Sequence, residues 1–293
     1  MKKILAYVTP EKHASLFDVI VAYDSGADVV VPYTEITAGD MRDIIHSCVF
    51  TRHSDDLKNT AIFIGGHDVD RGEELLNSIL KTFSELPSFL RVSVAIDPDG
   101  AYTTSSACVV KIKNSLREDL SGLNSTILAG TGPVGQRIAV LLSREGCNVT
   151  LTSRKLERAE NVCEMIKRRY NVEIKPFEAK NDETTEEAIS DSDIVVTTGP
   201  EGVQILPRKI WSKSPVRVMA DVNAVPPYGV EGIDARNDCK EIEKGKIGIG
   251  ALAIGRLKMK CHHEVVKRLF EEKGVVFDLE RVYEIAGGFD PTR

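Results

Sequence analysis

The run "ILAGTGPVGQRIAVLLSREGCNVTLTSR", from Ile127 to Arg154, decides the fold. It opens as an apolar strand, turns through Gly130, Gly132 and Gly135, continues as an amphipathic helix and closes on a second strand. GxGxxG alone is a weak signal. Set between a strand and a helix, it has the context that a dinucleotide-binding turn requires. Gly130 permits the tight turn, Gly132 lets a pyrophosphate approach the backbone, and Gly135 lets helix pack closely on strand. The backbone from Thr131 to Val134, with Pro133 opening the helix, then aims its N–H groups at the anion, aided by the helix dipole. The plain alternative is a glycine-rich turn that binds nothing, and the matching second strand argues against it.

The end of that second strand points to the cofactor. NAD enzymes usually place Asp or Glu there to accept hydrogen bonds from the ribose. This chain has Thr152-Ser153-Arg154-Lys155 instead. A hydroxyl, a guanidinium fork and an ammonium suit a 2′-phosphate. The expectation is NADP held by Ser153, Arg154 and Lys155, with NAD binding more weakly. The alternative is a pair of solvated cations opening the next helix. Two cations at a helix N-terminus oppose its dipole, so a nearby anion explains them better. Further on, "TTGPEGV" (197–203) leaves the fourth strand of this unit, and Thr198 and Gly199 can line the nicotinamide ribose or form an ordinary loop.

Outward from this turn, strand-like and helix-like segments alternate almost throughout. Before it, "KKILAYV", "DVVVPY", "TAIFIGG" and "RVSVAID" read as strands. Between them, "ASLFDVIVAYDS", with Leu16, Val19, Ile20 and Tyr23 on one face, "TAGDMRDIIHSCVF", capped by Thr37, and "DVDRGEELLNSILKTF" read as helices. "TTSSACVVKIKNSLRE" is a further helix, and the polar "EDLSGLNS" marks a boundary. After it, "STILAG", "NVTLTS", "VEIKPF", "DIVVTTG" and "VRVMADV" are strands with helices near 134–144, 156–169 and 184–190. Last comes "GKIGIGALAIGRLKMKCHHEVVKRLFEEKG", a glycine-rich strand and turn and then a long helix stepping through Leu257, Cys261, Val265 and Leu269. The fold class is α/β, with two α/β domains. Residues 121–255 form a doubly wound Rossmann-type NADP domain. Residues 1–120 plus 256–293 form a small catalytic domain to which the C-terminal helix returns.

Composition narrows the function. The 293 residues are 42% hydrophobic and 28% charged, with net charge −6 and no basic block to neutralise nucleic-acid phosphates. The longest apolar runs are strand-sized, far below the roughly 18 residues of a membrane span. "MKKILAYVTPEKH" turns polar after Val8 and reads as a first strand, not a signal peptide. Six scattered cysteines without a CxxC pair read as reduced thiols of a cytoplasmic protein, with no metal site.

"ASLFDVIVAYDSGAD", "AIFIGG", "LAGTGPVGQR", "SRKLERA", "DVNAVPPYGVEGID" and "IGALAIGRLK" together resemble the NADP-dependent methylenetetrahydromethanopterin dehydrogenases, some of which accept methylenetetrahydrofolate. More distantly, the layout is similar to the methylenetetrahydrofolate dehydrogenase/cyclohydrolases. The resemblance implies oxidation of a methylene carbon bridging two pterin nitrogens, by hydride transfer to nicotinamide, in a homo-oligomer. Such a reaction needs two rings face to face, water excluded and polar groups near the developing cation, but no acid–base pair.

The resemblance implies an active-site lysine at Lys258, just after the "IGALAIG" turn. Asp18, which interrupts "LFDVIVAY", is the second catalytic candidate, able to offset the amidinium charge; a solvated helical acid is the alternative. His13, Tyr23, Asp97, Tyr102, Thr103 and His262 are expected as contacts for the tetrahydromethanopterin or tetrahydrofolate carrier, and Asn223 joins the cofactor set. Two rival readings are a shikimate-dehydrogenase-like NADP oxidoreductase, which needs a Lys–Asp pair or a nucleophilic cysteine, and a non-catalytic NADP-binding regulator.

Overall fold

The computed structural model describes residues 1–289, and the chain divides into two compact units. One comprises Met1–Thr103 and Met259–Phe289; the other includes Thr104–Lys258. The first unit contains β1 (Ile4–Val8), α1 (Leu16–Asp24), β2 (Val29–Tyr33), α2 (Met41–Val49), β3 (Thr60–Ile64), α3 (Val69–Glu85), β4 (Ser93–Ile96) and the start of α4 (Ala101–Leu116). The second holds the rest of α4, then β5 (Asn124–Leu128), α5 (Pro133–Arg144), β6 (Asn148–Ser153), α6 (Leu156–Tyr170), β7 (Lys175–Glu178), α7 (Asp182–Ala188) and β8 (Ile194–Thr197). It continues with α8 (Arg208–Trp211), β9 (Val218–Asp221), β10 (Lys240–Glu243), β11 (Lys246–Ile249) and the start of α9 (Ala251–Arg268). The remainder of α9, β12 (Val276–Phe277) and α10 (Leu279–Gly287) belong to the first unit. The structure thus divides the chain within α4, earlier than the polar stretch that the sequence suggested.

The first sheet has five parallel strands in the order β12-β4-β3-β1-β2. Central β3, "TAIFI", is buried along its whole length, as a strand covered on both faces must be. Edge strand β2 carries Pro32, whose missing N–H is tolerated at an edge. The chain goes from β1 to β2 on one side and to β3 on the other, so the topological switch lies between the ends of β1 and β3.

The second sheet has seven strands in the order β10-β11-β9-β8-β5-β6-β7, parallel except for β10. Its switch lies between the ends of β5 and β8, at Leu128 and Thr197. A core of Leu128, Val195, Leu206, Ile210, Trp211 and Met219 holds this sheet to its helices. The buried Trp211 donates its indole N–H to the Glu231 carbonyl at 2.9 Å, which satisfies its polar edge.

Three sequence expectations are corrected. The face of α1 is reversed: Leu16, Ile20 and Tyr23 are 70%, 50% and 50% exposed, while Asp18, Val21 and Ala22 are buried. The segment is apolar nearly all round, so its period does not choose a face; the Tyr7 hydroxyl chooses it by donating to Asp18 Oδ2 at 3.0 Å. Thr37 does not cap α2. Asp40 holds the N-cap position without a side-chain cap bond, because its Oδ2 accepts instead from the Thr37 amide and hydroxyl at 2.8 and 2.6 Å in the turn before the helix. Finally, "ALAIG" is helix rather than turn, because α9 begins at Ala251, directly after Gly250. Lys258 therefore lies about two turns inside the helix rather than at its start. Leu257, Cys261, Val265 and Leu269 are buried together as their spacing predicts.

The reversed face has a measurable consequence. Val21→Ala is expected to lower unfolding free energy by about 2 kcal/mol. Ile20→Ala should change it by under about 0.5 kcal/mol. Urea denaturation of the two variants checks this, and the opposite ranking would restore the sequence-derived face.

Candidate active site

The glycine turn of the second unit has three glycines with three different surroundings. At Gly130 a Cβ would lie 2.9 Å from both Ile127 Cγ2 and Leu151 Cγ. At Gly135 it would lie 2.5 Å from the Gly130 carbonyl oxygen and 2.6 Å from Thr198 Oγ1. At Gly132 it would meet nothing within 4 Å. So the first and third glycines are required by packing, and the second leaves open space. The left-handed residue of the turn is Ala129, at φ 55°, not Gly130. Thr152 holds that conformation: its Oγ1 accepts from the Ala129 N–H at 3.1 Å and its carbonyl from the Gly130 N–H at 3.0 Å.

Helix α5 starts at Pro133 with Gly132 as N-cap and no side-chain cap. Its first N–H groups have no intrahelical acceptors, and Gly132 beside them is bare. These residues fit a pyrophosphate. Thr131 and Val134 complete the turn, with the Gln136 side chain donating to the Thr131 carbonyl at 2.8 Å. Thr198 clamps the turn from β8 by donating to the Ala129 carbonyl at 3.2 Å. At Gly199 a Cβ would strike Ile205.

At the end of β6, Ser153 is buried and its Oγ accepts from the Lys155 N–H at 3.4 Å, while Arg154 and Lys155 are exposed. Asn223 is committed to its own loop: it donates to the Pro227 carbonyl at 3.2 Å and accepts from the Val225 N–H at 2.9 Å. Below it, Asp221 accepts from Thr197 Oγ1, Asn223 N and Val230 N at 2.9, 3.0 and 3.1 Å. Burial pushes the Asp221 carboxyl above its usual range despite those donors.

In the first unit, Asp18 meets a residue that sequence reading missed. Tyr7, fully buried near the end of β1, donates to Asp18 and accepts from the Ser15 N–H at 3.3 Å. Burial, and then the Asp18 charge, push its phenol above its usual range. Gly65, at the end of β3, makes room for the pair: a Cβ there would lie 2.7 Å from Asp18 Oδ2 and closer still to the Tyr7 hydroxyl. Tyr7 stacks on Phe63 with centroids 6.0 Å apart, and Phe63 stacks on His262 at 5.4 Å.

The same switch point holds Glu11. Its carboxylate accepts from the Thr9 hydroxyl and from the His67 and Asp68 amides, each at 2.8 Å for the amides, and it occupies the space beside Gly66. The only sequence signal for this cluster was the Gly-Gly pair that follows an apolar strand.

Asp97, Tyr102, Thr103 and His262 are brought together, but as an internal frame. All four are buried. Asp97 Oδ1 accepts from the amides of Tyr102 and Thr103 at 2.9 and 3.0 Å, and Oδ2 from Thr103 Oγ1 at 2.6 Å. His262 Nδ1 stands 3.9 Å from Asp97 Oδ2. Tyr102 donates its hydroxyl to the buried Glu73 at 2.7 Å. Asp97 thus caps the first turn of α4. His13 is exposed, Tyr23 is half-exposed with its hydroxyl accepting from the Val30 N–H at 3.4 Å, and Lys258 is half-buried on α9.

A family profile described as methylene-tetrahydromethanopterin dehydrogenase, N-terminal, matches residues 16–99. "Bifunctional protein MdtA" of Methylorubrum extorquens is 37% identical over 286 residues, covering 97% of this chain and 98% of the relative. The "NAD(P)-dependent methylenetetrahydromethanopterin dehydrogenase" of the same organism is 32% identical over 293 residues, with coverage of 97% and 98%. The chain belongs to the methylenetetrahydromethanopterin dehydrogenase family. In this family member, residues 126–203 also match a profile described as saccharopine dehydrogenase NADP binding domain. Among solved structures, quinate dehydrogenase from Corynebacterium glutamicum in complex with NAD matches at a TM-score of 0.48 and 15% identity, covering 97% of this chain and 98% of that one.

Glu11 gives this dehydrogenase a pH signature. Burial alone would raise its carboxyl, but the Thr9 hydroxyl and the Asp68 and His67 amides outweigh that and hold it below its ordinary value of 4.5. A depressed folded-state value stabilises the fold above pH 4.5, and that contribution is lost as pH falls through the lower folded value. Glu11→Gln is therefore expected to lower stability at pH 7 and to flatten its decline below pH 4.5. Denaturant titrations of both proteins from neutral to acid pH check this; parallel declines would show that the cluster is not linked to folding.

Proposed function

We infer that this chain oxidises the methylene form of a reduced pterin carrier to the methenyl form. Methylenetetrahydromethanopterin is the substrate, and methylenetetrahydrofolate is the second carrier to test. One observation carries the reading: a relative named for the first of these reactions aligns over 97% of this chain. The cofactor, when bound, supplies a nicotinamide that takes up the hydride. The chain's own residues bind, orient and balance charge.

The Gly130–Gly135 turn holds the pyrophosphate, with Gly132 as the point of approach. Ser153, Arg154 and Lys155 take the 2′-phosphate, which favours NADP over NAD. Thr198, Gly199 and Asn223 shape the nicotinamide end. Asp18 is the acid that offsets the cation developing on the carrier, and the Tyr7 hydrogen bond holds its carboxyl in place. Lys258 is the second catalytic residue, serving to orient the carrier nitrogens, and exposed His13 and Tyr23 are carrier contacts. The reading carries with it a cytoplasmic homo-oligomer without nucleic-acid or membrane partners. None of the six cysteines is in a disulfide, and no helix among the described residues is long and apolar enough to cross a membrane.

Initial rates with each carrier, each paired with NADP and NAD and followed at the nicotinamide absorbance, test the activity. Turnover with a methylene pterin is expected; NADP binding without turnover of either carrier would leave a non-catalytic binding protein. Arg154→Ala should raise the KM for NADP about tenfold or more, and that for NAD less than about twofold, as loss of a charge-assisted hydrogen bond implies. Equal effects would remove Arg154 from the phosphate face. Lys258→Ala should lower kcat about a hundredfold with NADP affinity unchanged. A variant with wild-type kcat would exclude the lysine.

A further inference from the structure

The cofactor end of the second sheet holds a carboxylate that the sequence pattern did not single out. Strand β7 ends at Glu178, whose register partner is Ser153 at the end of β6. The Ala179 N–H donates to the Ser153 carbonyl at 2.9 Å, which locks the two strand ends side by side. The Glu178 side chain is 34% exposed, and its Oε2 accepts from Lys180 Nζ at 2.6 Å. The N-cap residue of α6, Lys155, provides no side-chain cap. The Lys180 hydrogen bond holds the Glu178 carboxyl below its usual range, so it is charged at neutral pH.

The strand end that offers Arg154 and Lys155 therefore lies beside a negative charge. A carboxylate at such a place accepts a hydrogen bond from a ribose hydroxyl, which is how NAD is usually held. The same carboxylate repels a phosphate on that hydroxyl. We propose that Glu178 and Lys180 set the choice of cofactor: Glu178 accepts the 2′-hydroxyl of NAD and opposes the 2′-phosphate of NADP, and Lys180 tempers that opposition. The proposal rests on the reading of Ser153, Arg154 and Lys155 as the phosphate face. It gives a site whose selectivity is the difference between two opposed charge pairs rather than the product of one residue.

Calorimetric titration of NADP and of NAD into the full-length protein, without carrier, tests it. Glu178→Gln should lower the Kd for NADP about fivefold and raise that for NAD about twofold, because one repulsion and one acceptor are weakened together. Lys180→Ala should raise the Kd for NADP about fivefold and leave NAD nearly unchanged. Both NADP effects should shrink at high salt, where a charge at a partly exposed site is screened. If Glu178→Gln weakens both cofactors equally, or changes neither, Glu178 takes no part in cofactor choice and the proposal fails. Arg154→Ala separates the two levels. If it weakens NADP selectively while the Glu178 and Lys180 variants leave the Kd ratio unmoved, the phosphate face stands and this pair is dismissed. If it weakens both cofactors alike, the phosphate face is dismissed and the proposal goes with it.

Discussion

Helix α5 lies closer to strand β5 than any side chain at position 135 would allow. A methyl group there would sit 2.5 Å from the Gly130 carbonyl oxygen and 2.6 Å from the Thr198 hydroxyl. That contact fixes the helix N-terminus over the end of β5, beside the end of β8, where the strand order reverses. Ala129 then has to turn left-handed to bring the chain round, and Thr152 and Thr198 hold it there from either side. Packing thus dictates where the first N–H groups of α5 are placed.

The second unit was largely legible in the sequence for the same reason. Its strands are short apolar runs, its helices have one apolar face, and its glycines sit at spacings that backbone geometry imposes. Lys258 was misplaced within its helix because "IGALAIG" has glycines at both ends, and glycine content alone does not say whether the residues between are turn or helix. The first unit was harder to read. The choice of face in α1 depends on Tyr7, eleven residues upstream on another element, and no local period carries that information. Asp97 lies at a strand end, where ligands gather, but the amides and hydroxyl that saturate it come from the next helix. Glu178 became visible only when β7 was set beside β6.

The acids of the first unit share a solution to burial. Asp18 is met by the Tyr7 hydroxyl, Asp97 by the Thr103 hydroxyl, Glu73 by the Tyr102 hydroxyl and Glu11 by the Thr9 hydroxyl. A buried carboxylate needs donors, and a hydroxyl provides one without bringing a positive charge. The ion pairs at the surface, such as Arg42 with Glu85 and Arg281 with Glu284, are exposed and contribute little to stability.

Gly132 separates two properties that most residues of a binding site combine. The folded chain has no use for its lack of a side chain, since a Cβ there would touch nothing within 4 Å. Any demand for glycine at that position comes from whatever docks against it. A single added carbon can therefore obstruct docking while leaving the architecture intact.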